Sequence, residues 1–175
     1  MDRNYSKISY KISQIEHKYG EQVQLLANPY CQTILAQLGR PDVFQPRLND
    51  LMEILYHNLL MEAVNSCFPR ETVKWDTRMK EFTIKGVFAG EVVKKDVPVI
   101  FVDLERAGIW PSHLCFHRLH YLLNSQNIRQ DHFHIGRKTN EKEEVVGVNM
   151  AGAKIGGGKE GAWVGIPDPQ GGTGG

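Results

Sequence analysis

The 175-residue chain has few cysteines, no long hydrophobic run and almost no excess charge of either sign. Its three cysteines, Cys31, Cys67 and Cys115, make neither a CxxC pair nor an even disulfide framework. That excludes a disulfide-stapled secreted scaffold and leaves buried free thiols in a reducing cytoplasm as the expectation. No apolar stretch approaches the roughly 20 residues that span a bilayer. The opening MDRNYSKISYKISQIEHKYG contains acids and no apolar core, so it does not read as a signal peptide. Lys and Arg number 21 against 20 Asp and Glu, and the strongly basic balance of a nucleic-acid binder is missing. A cytoplasmic protein without membrane or nucleic-acid partners is expected. A few local cations still suffice for a small anionic ligand. No internal repeat is visible, which sets solenoids and propellers aside.

What is present is a foldable chain with one odd feature. Hydrophobic residues make up 41% and aromatics 9%, enough for the core of a single domain. Eleven of the 17 glycines lie between Gly147 and Gly175. A domain seldom closes on its most flexible residues unless that end is loose, trimmed or functional.

The first half reads helical. Asn28-Pro29 opens a short helix carrying Ile34, Leu35 and Leu38, and Gly39 closes it. A longer helix is predicted from about Pro46 to Cys67, with Leu48, Leu51, Met52, Leu55, Leu59 and Ala63 as one buried stripe and Pro69 ending it. From Glu71 the period changes to two. Residues 72–77 and 81–88 alternate like the strands of an antiparallel hairpin or flap. Residues 97–104 form a nearly continuous apolar run, as expected of a strand covered on both faces. A helix over about Trp110–Leu123 and strands over Asp131–Ile135, Glu144–Met150 and Ala162–Ile166 follow. Helices around apolar strands with short loops indicate an α/β fold, whose ligand site lies at the carboxyl edge of the sheet.

Two strand ends carry chemistry. The first runs into Glu105-Arg106-Ala107-Gly108, a cation beside small residues that could hold an anion near backbone amides; a plain turn with a surface Arg is the alternative. The second runs into Pro167-Asp168-Pro169-Gln170-Gly171-Gly172-Thr173-Gly174-Gly175. There the glycines suit an amide nest for phosphate, Thr173 adds a hydroxyl, and Asp168 can accept from sugar hydroxyls. A flexible Gly-rich tail is the alternative. Neither a Walker A sequence nor a GxGxxG dinucleotide fingerprint is present.

In this order the segments resemble uracil phosphoribosyltransferase, a type I phosphoribosyltransferase relative. The resemblance covers about 28–175: Asn28-Pro29 with Gln32 and Leu35, the long helix through Glu62-Ala63, and residues 99–108 ending in Arg106-Ala107-Gly108. It continues with His134-Ile-Gly-Arg137-Lys-Thr-Asn140-Glu141 and with Asp168-Pro169 followed by Thr173-Gly174-Gly175. It implies an α/β fold with a phosphoribosyltransferase-like parallel-sheet core, a helical N-terminal part and a β-hairpin flap. Residues 1–175 would form a single, incomplete domain, with 1–27 an N-terminal extension and 167–175 the segment that binds phosphoribosyl pyrophosphate (PRPP).

The implied reaction is transfer of phosphoribose from PRPP to uracil, giving UMP and pyrophosphate. Arg106 and Arg137 would hold the diphosphate, Asp168 the ribose hydroxyls, and Gly171, Gly172, Thr173, Gly174 and Gly175 the 5′-phosphate. Mg²⁺ would ride mainly on the PRPP diphosphate. A homodimer is the implied assembly. No dedicated catalytic base stands out.

The departures are Pro167 before the Asp, Gln170 and two glycines in the loop, Glu105 beside Arg106, and the added Gly156-Gly-Gly158. In the family the helix behind the phosphate nest, further strands and the uracil-reading segment lie beyond the position of Gly175. The 175-residue form is therefore expected to make little or no UMP. A non-catalytic PRPP- or nucleotide-binding relative is the second reading, and a helical scaffold for oligomerisation with an inert Gly-rich end is the third. His113, His117 and His120 share one helix face, where zinc ligation competes with a surface role, and His132 or His134 would be further ligands. Glu141–Glu144 reads as a solvated turn, and Trp75 and Trp110 as packing residues.

Overall fold

The computed structural model describes residues 7–170, which form an α/β fold. The expected glycine loop, Gly171–Gly175, lies outside the described residues. Helix α1 spans Pro29–Leu38, with the Asn28 side chain accepting from the Cys31 amide and Gly39 at its end. A short polar side chain before Pro at the first helical position is a strong start signal, so this element forms where the sequence says.

Helix α2 spans Arg47–Cys67. Its buried side chains are Leu51, Met52, Tyr56 and Val64, whereas Leu59 is 48% exposed and Ala63 is also at the surface. The expected stripe is thus turned: the i, i+4 row Met52–Tyr56–Leu60–Val64 meets the core, and Leu55 and Leu59 face an open cleft. A broad apolar surface on a helix does not itself say which half its neighbours will cover.

Strands β1 (Arg70–Asp76) and β2 (Val87–Val93) pair antiparallel as a two-stranded sheet. The expected flap is therefore a hairpin, but its second strand starts later than the alternation over 81–88 implied. Residues 78–81 form a 3-10 turn, and Phe82 and Ile84 are 79% and 87% exposed. Gly86 is the physical reason. A Cβ there would come within 2.4 Å of the Met79–Lys80 backbone, so the chain can fold back on itself only with glycine at that point.

The main sheet has the order β5-β4-β3-β6, built from β3 (Val99–Leu104), β4 (Ile128–Thr139), β5 (Val145–Lys154) and β6 (Trp163–Gly165). Strands β4 and β6 flank β3 in parallel, whereas β5 returns antiparallel against β4. The sheet is mixed, not wholly parallel. The Asn140–Glu144 turn allows this directly, because the Asn140 side chain accepts from the amides of Lys142 and Glu144 and closes a tight hairpin. Strand β3 is buried from Val99 to Asp103, as its continuous apolar run predicts.

Helix α3 (Ile109–Leu119) joins β3 to β4, the crossover that parallel neighbours require. Leu119 and Cys115 of α3, Met52, Tyr56 and Val64 of α2, and Val99, Phe101 and Ile128 of the sheet make the core. The Arg118 guanidinium of α3 pairs with Glu53 of α2 and ties the two helices together. On the other side of β4, Arg129 makes a two-pronged pair with the buried Asp131 at 2.8 and 2.9 Å. It also donates to the Gly156 and Gly157 carbonyls. Of the added glycines at 156–158, Gly156 serves close packing, since a Cβ there would meet the Arg129 side chain at 2.6 Å, and Gly157 takes a φ of +83°. Among the described residues, no helix is long and apolar enough to cross a membrane.

Candidate functional site

The carboxyl ends of β3 and β6 lie side by side because the two strands are parallel, with Phe101 opposite Gly165. Gly165 is required there: a Cβ would sit 2.6 Å from the Phe101 ring. The two loops beyond these ends also touch. A Cβ on Gly108 would lie 3.1 Å from the Pro167 carbonyl and 2.8 Å from the Leu104 carbonyl. Packing therefore brings the Arg106–Gly108 loop against the Pro167–Asp168 loop. Arg106 is exposed, and α3 starts three residues on, at Ile109, with no side chain of the described residues capping its N-terminus. The peptide between Glu105 and Arg106 is cis.

Asp168 is exposed, and its carboxylate accepts from the Gln170 amide at 3.2 Å. Asp168 and Pro169 also rim a cleft of about 680 Å³ between the N-terminal segment, α1 and α2, with Ile15, Leu25, Leu35 and Leu55 among its walls. Tyr56 lines the same cleft. Burial, and after it the nearby Cys115 and Asp168, push the Tyr56 phenol well up, so it stays a neutral hydroxyl.

Arg137 lies on β4 four residues past Phe133, the partner of the last β3 residue, Leu104. At about 3.3 Å per residue it stands some 13 Å beyond the end of β3, on a β4–β5 ribbon that overhangs the carboxyl edge. The structure thus brings the Arg106 and Asp168 loops into contact and sets Arg137 on the same edge, further out.

Two histidine–carboxylate couples at this edge were not foreseen. His132 Nδ1 lies 2.8 Å from Oδ2 of Asp103, and His134 Nδ1 lies 2.6 Å from Oε1 of Glu105. The couples sit in one register, with Asp103 beside His132 on parallel neighbours. On the other side of β4, Lys154 faces His132 and Gly152 faces His134. Asp103 is 1% exposed, and its Oδ1 has no hydrogen-bond partner among the described residues. Glu105, which could have neutralised Arg106 beside it in sequence, is engaged by His134. Alternating acids at 103 and 105 and histidines at 132 and 134 are the sequence signal, but it is legible only once the two strands are known to be neighbours.

The α3 histidines behave differently. His113 and His117 are exposed, and His120 Nδ1 lies 2.8 Å from the Phe116 carbonyl, beside the Phe116 ring. Among the described residues, no group of three or more His, Cys, Asp or Glu is placed to hold a metal ion. The thiols are not alike either. Cys115 is buried, Cys31 half-buried and Cys67 exposed, which corrects the expectation that all three are buried. Trp75 and Trp110 also keep 44% and 39% of their surface exposed. Trp75 packs on Phe88 across the hairpin under the Lys95 ammonium.

A mixed-sheet α/β fold with its loops gathered at the carboxyl edge is the class that this geometry defines. Neither a family model nor a curated protein sequence matches the chain. Among solved structures it is similar to the AQ2163 protein from Aquifex aeolicus, with a TM-score of 0.59 and 19% identity. The match covers 82% of this chain and 60% of that one. This likeness is one of fold, and the chain spans about 60% of the Aquifex protein's length.

Proposed function

We propose that the chain is a PRPP-binding domain of the uracil phosphoribosyltransferase type, acting in transfer of phosphoribose to uracil or a similar base. The observation that carries this reading is the contact between the Arg106–Gly108 loop and the Pro167–Asp168 loop at the ends of parallel strands. A sugar diphosphate presents two separated groups of oxygens and needs two such loops side by side. Arg106, left free of Glu105 by His134, would take diphosphate oxygens, and its planar guanidinium suits them. Asp168 would accept from the ribose hydroxyls through carboxylate lone pairs that the Gln170 amide does not use. Arg137, out on the overhanging ribbon, would complete the diphosphate clamp by moving inward over bound ligand. The 5′-phosphate would sit on the amides of residues 171–175.

In such a transfer the ribose ring gains positive charge as pyrophosphate departs. The contribution of these residues is to hold the sugar and to stabilise the departing anion electrostatically. Mg²⁺ would arrive on the diphosphate and offset its charge, with few protein ligands required. A homodimer belongs to the same reading, and light scattering tests it.

Calorimetric titration of PRPP with Mg²⁺ tests the reading directly. Saturable binding is expected, and Asp168→Ala should weaken it by about 1–3 kcal/mol through the lost hydrogen bonds. No heat at millimolar PRPP, or an unchanged affinity in Asp168→Ala, would overturn the placement. Radiolabelled uracil then separates turnover from binding alone.

A further inference from the structure

We infer that His132 and His134 form a second half of the anion site, gripping the diphosphate of the ligand beside Arg106. This rests on the PRPP reading above and adds residues to it. Residues i and i+2 of a strand share a face and stand about 6.6 Å apart. Each ring has its Nδ1 engaged by a carboxylate of the β3 side, Asp103 or Glu105, at 2.8 and 2.6 Å. That leaves both Nε2 atoms available, and the two side chains are 43% and 46% exposed. A carboxylate on Nδ1 sets the ring's orientation and turns Nε2 outward, and in the imidazolium that Nε2–H is a donor. Two such donors on one strand face suit a ligand that presents two phosphoryl groups side by side.

The surroundings agree in sign. The groups facing the pair are Asp103 and Glu105 from β3, each already matched to one imidazole, and Lys154 from β5 opposite His132. Gly152, opposite His134, contributes no side chain and leaves 3.4 Å between its would-be Cβ and the His134 ring. From the α3 side, Ser112 meets the neighbouring Gln130 and brings no charge. Arg106 leaves β3 next to Glu105. With both histidines protonated, the carboxylates are matched one for one, and Lys154 and Arg106 remain as surplus positive charge. Anion binding at this edge is therefore expected to be stronger at pH 6.0 than at pH 8.5.

The test is calorimetric titration of inorganic pyrophosphate with Mg²⁺ into the full chain at pH 6.0 and 8.5. His132→Gln, His134→Gln, the double variant, Arg106→Ala and the α3 control His117→Gln are compared. At pH 6.0 each single His variant should bind about 3–10-fold more weakly and the double variant at least about 10-fold more weakly. At pH 8.5 the wild-type to double-variant ratio should fall below about 2-fold. Using this ratio cancels the titration of pyrophosphate itself, and His117→Gln should match wild type. His134→Gln alters a half-exposed side chain, so it reports even where His132→Gln unfolds. Pyrophosphate binding that is weakened by Arg106→Ala but equal in wild type and His134→Gln at both pH values overturns the inference and leaves the diphosphate site standing. No binding by wild type at millimolar pyrophosphate at either pH overturns both.

Discussion

Cys115 and Cys67 are the same residue type 48 positions apart, and burial alone separates their chemistry. Burial pushes the Cys115 thiol up to about 12, while Cys67 is exposed. At pH 8 Cys115 stays protonated and shielded, so an aromatic disulfide reagent should modify Cys67 on the order of 100-fold faster in the folded protein. Equal rates would show that the α2–α3 seam opens freely. Because the folded-state value is raised, the contribution of Cys115 to stability is whole below the free-thiol range and is lost as the pH climbs from there toward about 12. The histidine couples make the same point for polar residues. His132 and Asp103 are 29 positions apart, and nothing local distinguishes that histidine from His117. Arg106 and Asp168, by contrast, were legible as site candidates, because each follows an apolar strand and precedes small residues.

At the scale of elements, local rules decided most boundaries. Asn28-Pro29 and Gly39 delimit α1, and the buried run Val99–Asp103 marks β3. The exceptions arose where contact with another element overrode the local pattern. Residues 81–88 alternate like a strand, yet Gly86 lets the chain turn against Met79 and Lys80, and pairing begins only at Val87. On α2, periodicity located an apolar surface but not its covered half. The Gly156–Gly158 segment reads in sequence as an addition to a loop, but the backbone of Gly156 and Gly157 is held by Arg129 and Asp131. Arg129→Ala should therefore free that segment and strand a carboxylate that is 4% exposed. A loss of about 1–3 kcal/mol in urea unfolding is expected, with faster amide hydrogen exchange at 156–158. Unchanged exchange there would mean that the loop is held by something else.

Across the whole molecule, stability concentrates where helices α2 and α3 meet the sheet. Leu119 is fully buried at the centre of that core, whereas Ile84 at the hairpin turn is 87% exposed. Leu119→Ala should cost about 2–5 kcal/mol in chemical denaturation, and Ile84→Ser less than about 0.5 kcal/mol. Comparable losses would mean that the hairpin turn is buried in solution, as a dimer interface would bury it. The α/β class, the order of its elements and the two strand ends bearing Arg106 and Asp168 came from the sequence by itself, because caps, breakers and hydrophobic period act over a few residues. The antiparallel return of β5, the side of α2 that is covered, the contact between the Gly108 and Pro167 loops and the pairing of His132 and His134 with acids on β3 were decided only by the tertiary structure. These depend on strand order and close packing between residues far apart in the chain, which no local pattern encodes.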